Sequence, residues 1–226
     1  MEIYLQTIAS KTYELLKTLM NDPHLDRFNL VGGTSLSLQM GHRKSVDLDM
    51  FNYGEPFDLE EMKAYLQSEY GLKEKIARNQ TIIGMIGDVK VDFIKAYNKL
   101  TDPLIVTEDG IRLVSYKDIA AMKLLAIGKE GTRRKDFIDV AYLSTKMSFG
   151  EMLQRYLQAY DLNSTVQAIR GLLYFDDIKN EESVDLIGAK MEWRYIERRL
   201  YRMVDHQDVI FDTPPVKPVK AKPSSP

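Results

Sequence analysis

Residues 31–51, VGGTSLSLQMGHRKSVDLDMF, decide the fold of this 226-residue chain, because a glycine turn and an acidic strand follow each other closely within them. At the end of the stretch, Asp47 and Asp49 alternate with three apolar residues, which predicts a β-strand over residues 46–52. Side chains at positions i and i+2 of a strand point to the same face, so the two carboxylates share one side. Like charges held this close repel each other, and a hard divalent cation with carboxylate ligands would remove the repulsion. The pattern predicts a metal site; the alternative is an acidic pair that faces solvent on an edge strand.

The glycine turn at the start of the stretch predicts an anion site. Gly32 and Gly33 follow the predicted strand FNLV (28–31), and Thr34 or Ser35 is expected to cap the helix that comes next. Backbone N–H groups at a tight turn and at a helix N-terminus bind anions. A phosphate group is therefore the expected ligand, and the alternative is a plain turn between a strand and a helix.

A third aspartate lies inside an apolar segment further along the chain. Asp92 of VKVDFI (89–94) falls within a predicted strand, on the same face as Lys90. A buried acid needs a partner, and a metal ion shared with Asp47 and Asp49 would supply one. The alternative partner is Lys90 itself.

The remaining pattern predicts strands first and helices afterwards. A helix with Asp58 as its N-cap is predicted over residues 57–71. Three strands of a meander and a hairpin follow, at 73–80, 81–87, 88–96 and 105–115, and two helices come next, at 116–129 and 132–147. On the last of these helices, one interpretation of Asp139 is a surface residue that pairs with Lys135 at i+4.

This order of elements predicts an α+β protein with three parts. Residues 1–115 are expected to form an α/β core, and residues 116–208 a helical domain that completes the site. The Pro/Lys-rich stretch 209–226 is expected to be a disordered tail.

The composition narrows the range of functions. The net charge of −2 gives no overall signature of nucleic-acid binding, so such binding would need a local basic patch. The chain has no cysteine, which excludes disulfides, thiolate nucleophiles and zinc–thiolate sites. MEIYLQTIAS at residues 1–10 lacks the regions of a signal peptide, and no apolar run is long enough to span a membrane. A cytoplasmic protein without membrane contact is expected.

Taken together, these parts resemble the nucleotidyltransferase superfamily built on a DNA-polymerase-β-like core. More narrowly, the chain is similar to the AbiEii/AbiGii-type nucleotidyltransferase toxins of bacterial type IV toxin–antitoxin systems. The matching stretches are residues 31–51, VKVDFI (89–94) and KDIAAMKLLAIGKEGTRRKDFIDVAYL (117–143). The resemblance implies a polymerase-β-like core, in which helices flank a mixed sheet, followed by a helical C-terminal half.

The resemblance also implies roles for individual residues. Three carboxylates would bind Mg²⁺ or Mn²⁺: Asp47, Asp49 and Asp92. A second set would contact the nucleotide: Gly32, Gly33, Thr34, Ser35, Arg43, Ser45, Lys123 and Arg133 or its neighbour Arg134. Asp136 would act as a base or orient Lys123, and these two residues complete the implied catalytic set with Asp47 and Asp49.

The implied activity is the transfer of NMP from an NTP to an RNA acceptor, with the tRNA 3′ end as acceptor and a block of translation as the result. A cognate antitoxin would be encoded nearby. Two alternatives stay open: an NTP-binding regulatory protein with little turnover, and a nucleotidyltransferase with a protein or small-molecule acceptor. The intact pair Asp47 and Asp49 argues against the regulatory protein.

A basic row marks the last predicted helix, in KMEWRYIERRLYRMV (190–204). Its cations recur every fourth residue, at Lys190, Arg194, Arg198 and Arg202. Residues at this spacing share one helix face, and such a face predicts contact with a phosphate backbone. The alternative is a solvated face on which two glutamates are interleaved with the cations.

Overall fold

The computed structural model of the chain describes residues 3–179 and 183–217. Its helices and strands are, in chain order, α1 (Ser10–Met20), β1 (Phe28–Val31), α2 (Gly32–Met40), β2 (Leu48–Asn52), α3 (Leu59–Tyr70), β3 (Lys73–Arg78), β4 (Thr81–Ile86), β5 (Val89–Lys95), β6 (Ile105–Val106), β7 (Arg112–Leu113), α4 (Tyr116–Lys129), α5 (Arg134–Leu143), α6 (Phe149–Tyr160), α7 (Val166–Leu172) and α8 (Trp193–Asp205). This content confirms the predicted α+β fold. Within the described ranges, no helix is both long and apolar enough to cross a membrane.

The strands form one mixed sheet of seven strands in the order β3-β4-β5-β2-β1-β7-β6. At its centre, β2 pairs antiparallel with β1 and parallel with β5. Asp49 of β2 thereby lies opposite Val31 on one side and opposite Asp92 on the other. Because residues in register on neighbouring strands lie side by side, the topology alone brings two of the three predicted carboxylates together.

Two hydrophobic cores lie on the two sides of this sheet. One includes Phe28 and Phe93 of the sheet together with residues of α1 and α3. The other lies among the helices from α4 to α8, and Val31 and Leu36 of the N-terminal half belong to it. The end of β1 and the first turn of α2 therefore pack against the helical half.

The start of α2 differs from the expectation that Thr34 or Ser35 caps it. The helix begins at Gly32, whose positive φ of 66° turns the chain directly out of β1. The Thr34 hydroxyl instead donates to the carbonyl oxygen of Asp47 and is hydrogen-bonded to Ser45 Oγ at 2.8 Å. The Ser35 hydroxyl donates to the carbonyl oxygen of Val114 at 3.1 Å. Both side chains tie α2 to neighbouring segments, which leaves the helix without a side-chain cap.

The expectation of a disordered tail from residue 209 onward is wrong for residues 209–217. Phe211 is 6% exposed, and its N–H donates to the carbonyl oxygen of Ser144 at 2.9 Å. The Arg199 guanidinium lies 4.1 Å from the centre of the Phe211 ring, and Val216 is also buried. Two buried apolar side chains thus anchor this part of the predicted tail. Residues 218–226, the rest of the predicted tail, lie outside the described residues.

Candidate active site

A cavity of about 360 Å³ opens between the central strands β2 and β5 and the helices α4 and α5. Part of its lining is polar, and the rest is apolar and aromatic. The ionisable residues around it include Asp49, Asp92, Lys123, Arg133 and Asp136, and the apolar and aromatic ones include Phe51, Ile94, Ile119, Met122 and Tyr160. A ligand with a charged end and a flat, largely apolar end would match this division.

Two carboxylates meet at the polar end of the cavity. Burial, and next to it the charge of Asp92, raise the pKa of Asp49 above its usual range. Lys90 Nζ lies 2.6 Å from Asp92 Oδ2, so the predicted alternative of a local ion pair is also realised. The other oxygen, Asp92 Oδ1, is buried and has no hydrogen-bond partner among the described residues. An unpaired carboxylate oxygen beside a second carboxylate favours a cation at this point.

Asp47 stands apart from this pair. It precedes β2, its carbonyl is held by Thr34, and its carboxylate Oδ2 lies 3.8 Å from Lys135 Nζ. In the described part of the chain, no three His, Cys, Asp or Glu side chains gather closely enough to hold a metal ion. The predicted ligand set is therefore not preassembled. Mg²⁺ usually takes one or two carboxylates together with substrate phosphates, and the pair of Asp49 and Asp92 fits that requirement.

Position 32 requires glycine both because of its backbone conformation and because of the nearby side chain of Asp49. Its φ is +66°, and a Cβ atom at this position would lie 2.1 Å from Asp49 Oδ2. The N-terminus of α2, which carries partial positive charge, therefore begins directly against the carboxylate. Of the four predicted phosphate-contacting residues, Thr34 and Ser35 are buried and have other partners. The hydroxyls of Thr34 and Ser35 are thus engaged elsewhere, and what the first turn of α2 offers a phosphate is its backbone N–H groups.

Lys123 on α4 is buried at the side of the cavity, with 6% of its surface exposed. Its Nζ lies 2.5 Å from Asp136 Oδ1 and 2.9 Å from Asp139 Oδ2. Burial alone would lower the pKa of Lys123, but the charges of Asp136 and Asp139 outweigh burial and raise it. The ammonium group is therefore held in its charged form.

Asp139 is not a surface residue, so the interpretation of it as an exposed partner of Lys135 does not hold. It is fully buried, and it accepts hydrogen bonds from Arg43 Nε at 2.6 Å, Arg43 Nη2 at 2.8 Å and His42 Nε2 at 2.8 Å. Burial would raise the pKa of Asp139, but Arg43 and Lys123 hold it well below its usual range. Sequence reasoning missed this residue, although its spacing of i+3 from Asp136 places both acids on one face of α5.

Arg43 is not among the residues that line the cavity, and its predicted contact with the nucleotide stays a prediction. It is 3% exposed, and besides Asp139 its guanidinium binds the Lys44 carbonyl through Nη1 at 2.9 Å. A Cβ atom on Gly33 would lie 2.4 Å from Arg43 Nη2, so the guanidinium is packed directly against the glycine turn. Arg43 therefore supports the turn, while Ser45 is bonded to the hydroxyl of Thr34.

The two arginines at the start of α5 have different surroundings. Arg133 lines the cavity with a side chain that is 56% exposed, and its Nε lies 3.8 Å from Asp136 Oδ2. The Arg134 guanidinium lies 5.1 Å from the ring centre of Trp193. Of the two candidates for the basic position in the motif, Arg133 is the one at the cavity.

A glycine turn, an aspartate strand and a further aspartate on a parallel neighbour are the core features of the DNA-polymerase-β-like nucleotidyltransferases, and the chain has this fold. The crystal structure of JHP933 from Helicobacter pylori is similar, with a TM-score of 0.50 and 16% identity over 88% of this chain and 92% of that chain. A putative nucleotidyltransferase from H. pylori has a TM-score of 0.49 and 15% identity, over 87% of this chain and 94% of that chain.

The family is defined by sequence. The model of the AbiEii nucleotidyl transferase toxin family, of type IV toxin–antitoxin systems, matches residues 14–194, and the chain belongs to this family. An uncharacterized protein of Aquifex aeolicus (strain VF5) is 28% identical over 204 residues, which are 88% of this chain and 97% of that protein. Membership confirms the resemblance: the protein is a nucleotidyltransferase, and enzymes of this class transfer NMP from NTP substrates, typically with divalent metal ions.

Proposed function

We propose that this protein is a toxin that uses Mg²⁺ or Mn²⁺ to transfer NMP from an NTP to the 3′ end of tRNA and thereby blocks translation. The observation that carries the proposal is the position of Asp49, Asp92, Gly32 and Lys123 around one cavity. The family adds the expectation of a cognate antitoxin as a partner.

The aspartates are proposed to hold the metal ion. Asp49 and Asp92 form a carboxylate pair, in which Asp92 Oδ1 has no hydrogen-bond partner among the described residues. Asp47 lies two residues before Asp49, directly before the start of β2. When bound, the ion would neutralise triphosphate charge and polarise the α-phosphate. The raised pKa of Asp49 supports this assignment, because a carboxylate that is costly to ionise alone gains the most from a cation.

The triphosphate is proposed to lie between the N-terminus of α2 and Lys123. The backbone N–H groups at Gly32 and Gly33 suit phosphate oxygens, and Lys123 would act as a point charge. Asp136, 2.5 Å from Lys123 Nζ, orients the ammonium group. In the reaction, a hydroxyl oxygen of the acceptor loses its proton to solvent and bonds to the α-phosphorus, the bond from the α-phosphorus to the oxygen that bridges to the β-phosphate breaks, and pyrophosphate leaves with that oxygen. Catalysis comes from positioning and from neutralised charge.

The choice of RNA as the acceptor is supported by the cations at the start of α5. Arg133, Arg134 and Lys135 stand in or next to the first turn of this helix, where positive charge is unfavourable against the helix dipole. The phosphates of an NTP and of an RNA 3′ end would relieve that repulsion. The toxin family supports tRNA in particular, because modified tRNA would stop protein synthesis.

One labelling experiment tests the proposal. Purified protein is incubated with Mg²⁺, total tRNA and each α-³²P NTP in turn, beside Asp49→Asn and the matched variant Asp88→Asn, whose aspartate is 85% exposed on a turn. We expect label on tRNA with the wild type and Asp88→Asn, and none with Asp49→Asn. Label on the protein instead would contradict the RNA acceptor. NTP binding without any transfer would support a regulatory protein.

A further inference from the structure

Two arginines on the outer face of α8 have no acidic partner among the residues that the structure describes. The helix begins at Trp193, so the predicted row of four cations is wrong at Lys190, which precedes the helix. Arg194 is paired with Glu192 at 2.6 Å. For Arg198 and Arg202, no carboxylate of residues 3–179 or 183–217 lies within the 4.0 Å of an ion pair. This part of the row is therefore exposed to solvent, as in the alternative interpretation, but it is not neutralised by ion pairs with the described residues.

Residues 213–217 close this face into a pocket of about 270 Å³. Four cationic side chains line it: Arg198, Arg199, Arg202 and Lys217. Its other lining residues are Tyr195 and the stretch from Thr213 to Val216, so no acidic residue of the described chain contributes to it. The C-terminal segment thus adds one wall and one further charge to the arginines of the helix.

Arg199 gives an independent indication that an anion belongs here. It is 6% exposed, yet its guanidinium bonds only to uncharged oxygens of the described residues: Ser144 Oγ at 2.8 Å and the Thr213 carbonyl at 2.7 Å. Burial, and next to it the charge of Arg202, lower the pKa of Arg199 to about 10. Buried charges are normally paired with an opposite charge, whereas the described residues give Arg199 only a hydroxyl, a carbonyl and the face of the Phe211 ring. An anion in the pocket would supply the opposite charge.

The pocket lies near the candidate active site along α8 but on another side of the helix. Arg133 lines the active-site cavity, and its neighbour Arg134 stacks on Trp193, the first residue of α8. Arg198 and Arg202 lie roughly 8 Å and 14 Å along the helix from Trp193, and about 140° and 180° around it. An extended chain with one end in the cavity would therefore have to pass around α8 for its next residues to reach the pocket.

We propose that this pocket binds backbone phosphates of the RNA acceptor, upstream of the 3′ end that receives NMP. The identity of the ligand as RNA rests on the proposed function, whereas the preference for phosphate rests on the four cations and on the unpaired charge of Arg199. Arginine forks match phosphate oxygens in pairs, and an exposed cationic face that contacts a nucleic-acid backbone makes binding dependent on salt.

Binding of fluorescently labelled total tRNA, without NTP or metal, tests the inference across a series of salt concentrations. The test protein is Arg198→Gln/Arg202→Gln. The matched control is Lys75→Gln/Arg78→Gln, which removes two exposed cations from the edge strand β3. We expect the test protein to lose about 10-fold or more in affinity, and the slope of log K against log salt to fall by about 2, because two phosphate contacts are lost. Arg198→Lys/Arg202→Lys should keep most of the slope, which separates loss of charge from misfolding.

Two results would overturn the inference. One is an unchanged affinity and slope in the Gln variant. The other combines two measurements: inorganic tripolyphosphate raises the unfolding temperature of the wild type but not of the Gln variant, and both proteins bind tRNA equally well. The pocket would then be a site for small anions. If tRNA binds through the pocket but receives no NMP in the labelling experiment, the proposed reaction fails and this inference stands.

Discussion

Asp139 is the side chain on which the charges of the candidate site depend. Its carboxylate is bonded to Arg43 and His42, which follow α2, and it lies 2.9 Å from Lys123 on α4. Arg43 in turn packs against the glycine turn at Gly33. A single buried acid therefore positions both the turn and the lysine, although it lies outside the lining of the cavity.

Replacing Asp139 by Asn keeps its shape and removes its charge. Arg43 would then lose its ion pair, and we expect the free energy of unfolding to fall by about 3–5 kcal/mol, the usual cost of breaking a buried pair. Urea denaturation measures the change. The control is Asp161→Asn, which breaks an exposed pair with Lys99 and should cost less than about 1 kcal/mol. Equal losses in both variants would contradict the role of Asp139.

The variant Asp139→Asn also tests how the free energy of unfolding depends on pH. Because the pKa of Asp139 is lower in the folded state than in the unfolded chain, its stabilisation is present above the unfolded pKa of about 3.9 and is lost as the pH falls through the folded value. The stability difference between wild type and Asp139→Asn should stay constant from pH 7 to about 5 and shrink below about 4. Denaturation curves at successive pH values measure it. A difference that grows in acid would refute the assigned shift.

Gly32 allows backbone strain to be separated from a steric clash. Alanine at either Gly32 or Gly87 must adopt a positive φ, of 66° or 56°, which costs roughly 1–2 kcal/mol. A Cβ on Gly87 meets none of the described residues within 4 Å, whereas one on Gly32 meets Asp49 Oδ2 at 2.1 Å. Both variants should lose stability through backbone strain, Gly32→Ala should lose more because of the clash, and only Gly32→Ala should lose NMP transfer. Transfer that survives in Gly32→Ala would show that the Asp49 position is not critical.

At the level of helices and strands, α8 and the segment after it form one unit. Phe211 lies under the guanidinium groups of Arg199 and Arg202, at 4.1 and 4.9 Å from its ring centre. The segment reaches back to the end of α5 through its hydrogen bond to Ser144. The proposed phosphate pocket exists only while this segment is docked.

Phe211→Ala tests that docking. Removal of a buried aromatic ring should lower the free energy of unfolding by about 3 kcal/mol and weaken tRNA binding along with it. The neighbouring variant Ile210→Ala is the control, because Ile210 is 52% exposed and its loss should have little effect. Thermal and chemical denaturation measure both. If Phe211→Ala and Ile210→Ala had the same stability and the same affinity for tRNA, residues 209–217 would not stay docked in solution.

The sequence pattern predicted well those helices and strands whose boundaries are set by residues at their own ends. The helix over 57–71 was predicted from its N-cap and its terminal glycine, and α3 begins after Asp58 and ends before Gly71 with both caps in place. The meander was predicted from its turns at Asn79 and Gly87, and both turn residues have positive φ. In each case the deciding residues lie within a few positions of the element itself.

Features that depend on contacts distant in sequence were missed. Asp139 and Arg43 are 96 residues apart, so no local pattern indicates that the acid points inward toward the arginine. The apparent cap residues Thr34 and Ser35 were misread because their hydroxyls bind Asp47 and Val114 instead. The roles proposed for individual site residues stay predictions, although the cavity brings Asp49, Asp92 and Lys123 together.

On the scale of the whole molecule, the two halves of the chain share one of the two cores. Val31 and Leu36 from the first half and Val114 from the predicted boundary are buried among the helices of the second half. The ion pair between Arg43 and Asp139 also joins the halves. The predicted parts 1–115 and 116–208 are thus in close contact both through apolar side chains and through the candidate site.

A fragment of residues 1–115 should therefore not fold by itself. It would expose the apolar side chains of the shared core and leave Arg43 without its carboxylate, and an exposed core and an unpaired charge both oppose folding. We expect calorimetry to find no cooperative transition for the fragment and one transition for the chain 1–217. A sharp transition in the fragment would show that 1–115 is an independent domain.

The convergence on Asp139 also bears on how such a protein changes through evolution. Arg43 is buried, and this acid is its one ion-pair partner among the described residues, whereas Lys123 keeps a second carboxylate, Asp136, when Asp139 is lost. Loss of Asp139 alone would leave the charge of Arg43 unpaired in the interior, so it should survive only together with a replacement of Arg43. Across lineages Arg43 and Asp139 should be inherited as a pair, so that a relative that lacks the acid also lacks the arginine, while Lys123 can stay.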